Sequence, residues 1–208
     1  MVRGKFVAFE GCEGSGKSTQ IRLLSEYLSA QGVPFTVTRE PGGSPIAEKI
    51  REIILDGKNA EMCDGCEALL YAAARLQHVT ETILPALESG KLVICDRFID
   101  SSLAYQGWAR ELGFDYISAI NAEALKQCTP DITLFLDIPP ERAFSRKHGA
   151  DENDRMEMQG AEFHKKVYQG YRALLEKDPR ICAVECGGTK YETNKNVIDV
   201  LKRRGIIK

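Results

Sequence analysis

Apolar residues along this chain fall into two patterns that alternate from one end to the other. Short unbroken apolar runs read as buried strands: Lys5–Glu10 (KFVAFE), Val33–Thr38, Leu92–Cys95, Ile132–Asp137 (ITLFLD) and Ile181–Glu185. Between them lie longer segments whose apolar residues recur at helical spacing. The first runs from Lys17 to Gln31, with Ile21, Leu24, Tyr27 and Leu28 on one face and Gly32 after it. Further helices are predicted over Ile46–Leu55, Cys66–Leu87, Ser101–Leu112, Tyr116–Lys126, Glu141–Lys147, Glu162–Lys177 and Asn194–Arg204. Strands that alternate with helices predict an α/β protein, a mostly parallel sheet covered by helices. From His148 to Gln159 (HGADENDRMEMQ) the periodicity lapses into polar and charged residues, and a mobile segment is expected there. No repeat, low-complexity tract or linker divides the sequence, so the whole chain, 1–208, is expected to form one domain.

Composition narrows the classes. With 208 residues, 43% of them hydrophobic, the chain suits a single full core. Lys and Arg total 28 against 30 Asp and Glu, a net charge of -2, which argues against a general nucleic-acid binder. No run approaches the ~18 apolar residues of a membrane span, and the N-terminal residues lack the layout of a signal peptide. No membrane partner and a cytoplasmic location are therefore expected. Seven cysteines, an odd count, favour free thiols. Cys63 with Cys66 has the spacing of a zinc knuckle, but no second pair follows to complete four ligands.

One motif carries chemistry outright. Gly11-Cys12-Glu13-Gly14-Ser15-Gly16-Lys17-Ser18 matches G-x-x-x-x-G-K-[ST], placed after an apolar strand and at the mouth of a helix. Glycines there let backbone N–H groups turn inward, and these join the helix N-terminus in binding phosphate oxygens. Lys17 supplies a charge for the β- and γ-phosphates, and Ser18 a hydroxyl for Mg²⁺.

Such a loop serves switches, motors and kinases alike. A GTPase switch would carry D-x-x-G and N-K-x-D; the first is absent, and Asn194-Lys195-Asn196-Val197 lacks the closing Asp. A motor ATPase would end a strand with an acidic pair, whereas Leu92–Cys95 leads into Asp96 and then Arg97. Asp96 suits Mg²⁺ held through water, and Arg97 a second phosphate. A kinase joining two phosphorylated substrates is the reading that results.

Several longer stretches extend this reading. They are Phe9-Glu10-Gly11 through Ser18-Thr19-Gln20, Thr38-Arg39-Glu40-Pro41-Gly42-Gly43, Leu70-Tyr71-Ala72-Ala73-Ala74-Arg75, Asp96-Arg97-Phe98 running into Ser101-Ser102-Leu103-Ala104-Tyr105-Gln106-Gly107, and Asp154-Arg155-Met156-Glu157. In these the chain resembles the bacterial thymidylate kinase family over nearly its whole length. T-R-E-P-G-G followed by D-R-[YF]-x-x-S-x-x-A-Y-Q-G carries most of the specificity.

The resemblance implies a three-layer P-loop NTPase fold, a five-stranded parallel sheet in the order 2-3-1-4-5 flanked by helices, with a mobile lid over about 147–159. It implies phosphorylation of thymidine 5′-monophosphate by ATP with Mg²⁺, and a homodimer. ATP would lie on Gly11, Cys12, Glu13, Gly14, Ser15, Gly16, Lys17, Ser18 and Thr19, with Ser18 and Asp96 serving the metal. Glu13 would accept from the 3′-hydroxyl of the acceptor sugar, or else face solvent. Arg39, Arg51 and Arg97 are candidates for the acceptor phosphate, through bidentate guanidinium pairing. Arg51 on a solvated helix face is the alternative. Glu40 would orient these arginines or bound Mg²⁺. Tyr71 would stack on thymine and Arg75 reach a base carbonyl; a core aromatic beside a surface arginine is the alternative. Ser102 and Gln106 would complete the base contacts, and Tyr105 would crowd the sugar C2′. The P-loop carries no arginine, so a lid cation must assist transfer: Arg146 first, with Arg155 as a second candidate or a structural ion-pair member.

Some positions depart from the family pattern. Tyr71 stands where the family often has Phe, and Phe98 where Tyr is commoner. Glu61-Met62-Cys63-Asp64-Gly65-Cys66 has no functional account. Another nucleotide kinase, or a sensor that binds ATP without turnover, stays open on the residues alone.

Overall fold

The computed structural model describes residues 3–145 and 154–208. Its strands are β1 (Phe6–Glu10), β2 (Phe35–Arg39), β3 (Leu92–Asp96), β4 (Ile132–Asp137) and β5 (Ile181–Glu185). They form one five-stranded parallel sheet in the order β2-β3-β1-β4-β5. Around it lie α1 (Lys17–Ala30), α2 (Pro45–Leu55), α3 (Asp64–His78), α4 (Leu84–Glu88), α5 (Ile99–Ser102), α6 (Phe114–Ile120), α7 (Ala122–Gln127), α8 (Pro140–Phe144), α9 (Ala161–Lys177) and α10 (Lys190–Arg203).

Strand alternation sorts the core onto the two faces of the sheet. Val7 and Phe9 of β1, with Ile94 of β3 and Leu134 of β4, pack against Leu24 and Leu28 of α1 and Leu201 of α10. Phe6 and Ala8, with Val93 and Cys95, face the opposite layer of Val79, Ile83, Leu87 and Ile117. Phe135 and Tyr171 anchor a third cluster under α9. The central strand β1 is buried throughout, whereas the edge strand β2 is only partly covered, which is why it tolerates Thr36 and Thr38. Each large apolar side chain taken fully out of water contributes roughly 1.5–3 kcal/mol.

Several predicted boundaries move for physical reasons. The single helix expected over Cys66–Leu87 is α3 and α4 joined by a π-helical stretch, Val79–Ile83. Apolar spacing does not resolve one inserted residue per turn, so the pattern alone reads as one helix. Likewise Ser101–Leu112 begins as α5 and continues as a π stretch, Leu103–Ala109. The helix expected over Tyr116–Lys126 breaks at Asn121, between α6 and α7. The final helix starts earlier than predicted, at Lys190, because Thr189 and Glu192 form a capping box.

Arg146 and residues 147–153 of the expected lid lie outside the described residues. Residues 154–159 are held at their start. Asp154 bridges Asp56, and Arg155 donates from its backbone to Leu55 O at 2.9 Å and from Nε to Ile54 O at 3.0 Å. The expected mobile stretch therefore ends in a segment fastened to α2.

Candidate active site

At the carboxyl ends of β1, β3 and β4 the chain turns outward, and two clefts open side by side. Clefts at this edge follow from parallel strands, whose helix N-termini and loops all emerge there. The first has about 550 Å³ of open space and the second about 940 Å³. Glu13, Glu40, Arg51, Arg97, Asp154 and Glu157 line both.

The second cleft belongs to the loop between β1 and α1. Gly11 takes φ 146°, and a Cβ there would stand 2.8 Å from Ser15 Oγ and 3.1 Å from Leu136 O. Gly16, the N-cap of α1, takes φ 95°. Only glycine accepts such angles without strain. Lys17 Nζ donates to Gly11 O and Cys12 O, each at 3.1 Å, so its ammonium lies folded over its own loop. Burial, reinforced by the Arg97 charge, lowers its pKa from the usual lysine value. Gly14, Gly16, Ser18, Thr19 and Arg39 line this cleft too, while Cys12 is buried behind it.

Ser18 Oγ donates to Asp96 Oδ2 at 3.3 Å. A hydroxyl beside a carboxylate at a phosphate loop is a hard-oxygen donor set suited to Mg²⁺, which keeps much of its water and takes few protein ligands. Among the described residues no cluster of three or more acidic, histidine or cysteine side chains is arranged for a metal. All seven cysteines are free thiols.

Arg97 occupies the shared wall. Its φ of 71° is unusual for a residue with a Cβ, and conformations of this kind cluster at functional sites. Its backbone N–H donates to Phe9 O at 2.9 Å. Its guanidinium donates to Gly11 O (3.0 Å), Ser101 Oγ and Tyr171 OH (3.3 Å each), pairs with Glu13 and lies 5.3 Å from the Tyr105 ring centroid. Glu13 is therefore engaged with Arg97 rather than simply facing solvent. Beneath them Glu10, fully buried, accepts from Phe98 N, Ser101 N, Ser101 Oγ and Tyr171 OH. Burial and the nearby Asp100 push its pKa up to about 7, against the pull of Arg97 and the hydroxyl hydrogen bonds.

The first cleft has an aromatic and amide lining: Tyr71, Phe98, Tyr105 and Gln106 with Ser102 and Arg75. Arg75 is almost fully buried, which removes the surface-arginine alternative. Its Nε donates to Glu40 Oε2 at 2.8 Å, Nη1 to Asn121 Oδ1 at 2.5 Å, and Nη2 to Ser102 Oγ at 2.9 Å and Phe98 O at 3.2 Å. Gln106 Nε2 donates to Glu67 Oε1 at 2.8 Å. Burial pushes the Tyr71 phenol above its ordinary pKa, so the ring is neutral at physiological pH. The Tyr105 hydroxyl is buried with no hydrogen-bond partner among the described residues.

The remaining arginines separate. Arg51 donates to Pro41 O at 2.8 Å and lines both clefts, so it is not on a solvated helix face. Arg39 lines only the phosphate-side cleft and, half exposed, pairs with Glu48 at 2.8 Å. Arg155 lines neither; it is buried and pairs with Glu67. Sequence reasoning assigns no role to Glu10, Tyr171, Asn121 or Glu67. A carboxylate closing an otherwise apolar strand is a local signal for Glu10. Tyr171 and Asn121 give none, because only the packing of α9 and the break before α7 bring them near.

A sequence model of the thymidylate kinase family matches residues 9–198. A protein named thymidylate kinase from Finegoldia magna is 48% identical over 202 residues, covering 97% of this chain and 100% of that protein. Another of that name from Symbiobacterium thermophilum is 50% identical over 204 residues, covering 96% and 95%. A third, from Clostridium novyi, is 50% identical over 181 residues, covering 86% and 88%. With its phosphate loop, its paired clefts and this similarity along almost its entire length, the chain belongs to the thymidylate kinase family.

Proposed function

We propose that this chain, acting as a single nucleotide-kinase domain, transfers the γ-phosphoryl group of ATP to thymidine 5′-monophosphate, yielding the diphosphate and ADP. The observation that carries this reading is the wall shared by the two clefts. Arg51 and Arg97 stand where the phosphate ends of two nucleotides would meet, one nucleotide lying on the loop at Lys17 and the other against Tyr71 and Arg75.

In this reading an oxygen of the acceptor phosphate attacks the γ-phosphorus in line, and ADP leaves from the opposite side. The acceptor is already anionic, so no strong general base is needed, and the protein contributes positioning and charge. Gly11 through Thr19 hold ATP, with Lys17 on its β- and γ-phosphates. Arg97 and Arg51 hold the acceptor phosphate, with Arg39 closer to the donor side. Glu13 exchanges Arg97 for the sugar 3′-hydroxyl. Tyr71 stacks on the base, Arg75, Ser102 and Gln106 meet its edge, Glu40 orients Arg75, and Tyr105 fills the space of a ribose 2′-hydroxyl. Ser18 and Asp96 would hold Mg²⁺, which would supply charge neutralisation on the phosphates. Arg146 provides the lid cation. The enzyme works as a homodimer in the cytoplasm; no described helix is long and apolar enough to cross a membrane.

An assay of ADP release coupled to a dehydrogenase, run across the common nucleoside monophosphates, tests the reading. Thymidylate is expected to give the highest kcat/KM. A different preferred monophosphate, or ATP binding without turnover of any, overturns it.

A further inference from the structure

Behind the base-side cleft runs a chain of buried polar groups that begins at a residue with no role in the reaction as described. His78, at the C-terminal end of α3, is fully buried. Its Nδ1 lies 3.0 Å from Glu40 Oε1 and its Nε2 2.6 Å from Thr38 Oγ1. A carboxylate only accepts, so Nδ1 carries the proton, and in the neutral ring Nε2 accepts from the Thr38 hydroxyl. The other oxygen of Glu40 accepts from Arg75 Nε at 2.8 Å. One carboxylate is thus held by a histidine on one side and holds an arginine on the other.

The same imidazole packs on the loop that follows β2. A Cβ at Gly43 would stand 2.4 Å from His78 Nε2 and 2.6 Å from Thr38 Oγ1, at a φ of 81°. That loop also supplies Pro41 O, which receives Arg51 at 2.8 Å. His78 therefore touches the support of Arg75 and the support of Arg51 together.

We propose that His78 is a positioning residue for the acceptor nucleotide: by fixing Glu40 it sets the Arg75 guanidinium against the base, and by packing on Gly43 it seats the loop that holds Arg51. The proposal rests on the thymidylate reading of this cleft. Glu40 without its histidine donor would keep Arg75 but be free to tilt, and a directional contact to a base edge is lost with small displacements.

Two substitutions separate the two hydrogen bonds. In His78→Asn the amide nitrogen stands near the place of Nδ1, keeping the donation to Glu40 and losing Thr38. In His78→Gln the amide oxygen can stand near Nε2 and accept from Thr38 Oγ1, while the donation to Glu40 is lost. His78→Gln is expected to raise the thymidylate KM about tenfold, the scale of one buried hydrogen bond, with the ATP KM unchanged. His78→Asn is expected to stay within about twofold of wild type, the difference between the two being what packing alone does not produce. Equal KM values in the two variants, with wild-type turnover intact, overturn the relay alone. Absence of thymidylate turnover by the wild type overturns the functional reading and the relay with it. Nitrogen-15 NMR of the wild-type imidazole checks the arrangement without any variant: a proton on Nδ1 supports it, and a ring protonated only at Nε2 overturns it.

Discussion

The two clefts that share Arg51 and Arg97 are held in opposite ways. On the base side Arg75 makes four hydrogen bonds to protein partners, and Glu40, Ser102 and Asn121 beside it are buried. On the phosphate side Lys17 rests on two carbonyls of its own loop, Arg39 on an exposed pair, and Ser18 on a single 3.3 Å bond to Asp96. The contrast follows from what each side would recognise. A neutral base edge offers hydrogen bonds with a net contribution of about 1 kcal/mol each, lost when geometry slips, so the groups that read it must be fixed beforehand. A phosphate brings charge, attracts cations over several ångströms and displaces weak internal partners, so its ligands are better left exchangeable.

The largest expected effect lies with the lid. Arg155 is tied to Glu67 and Ile54 O, and the proposed mechanism assigns the lid cation to Arg146. Arg146→Ala is expected to lower kcat by ~10³-fold, the scale of an arginine finger, with little change in thymidylate binding measured without ATP. Arg155→Ala should instead appear as lost stability, roughly 3 kcal/mol by denaturant unfolding, because it strips a partner from buried Glu67. A large kcat loss in a stable Arg155→Ala enzyme would exchange the two roles.

Next comes the phosphate loop: Lys17→Ala should fold normally and lose ~10²-fold in kcat. Near-normal turnover would break the contrast at its donor end. Arg75→Ala should raise the thymidylate KM more than the ATP KM and also lower the melting temperature, because Arg75 is buried and holds four protein partners. A change in KM with no loss of stability would mean the base side is less rigidly built than its hydrogen bonds indicate.

The pH dependence of stability tests the scaffold under Arg97. Glu10 titrates at about 7 in the folded protein against 4.5 for an ordinary glutamate. Between those values the native state keeps a proton that the unfolded chain has released, so stability falls as pH rises from 4.5 to 7 and is flat beyond. The drop attributable to Glu10 is roughly 3 kcal/mol, and Glu10→Gln should remove it from the stability–pH curve. The smallest effect is expected at Tyr105: a smaller residue there should narrow the preference for deoxyribose over ribose monophosphates by about tenfold, read as a ratio of kcat/KM values. An unchanged ratio in an active variant would refute the steric role.

Local grammar determined much of this protein from the sequence alone. Apolar runs at Phe6–Glu10, Leu92–Asp96 and Ile132–Asp137 made strands because buried parallel strands are apolar on both faces. G-x-x-x-x-G-K-[ST] made a phosphate loop because glycine angles and a helix N-terminus are contiguous in the chain. The stretches around Glu40, Tyr71 and Tyr105 marked one group of candidate residues through their resemblance to a family, and these residues line the first cleft together.

Tertiary structure alone decided which charges are free and which are spent. Arg75, Arg97 and Arg155 look alike in sequence, yet one is clamped by Glu40 and Asn121, one straddles both clefts, and one is buried against Glu67. Their partners come from strands and helices far away in the chain, as with Glu10 and Tyr171, whose hydroxyl and carboxylate meet at 2.7 Å. Hydrogen-bond partners at such separation leave no periodic trace. The desolvation that fixes each arginine's role exists only once the layers have packed.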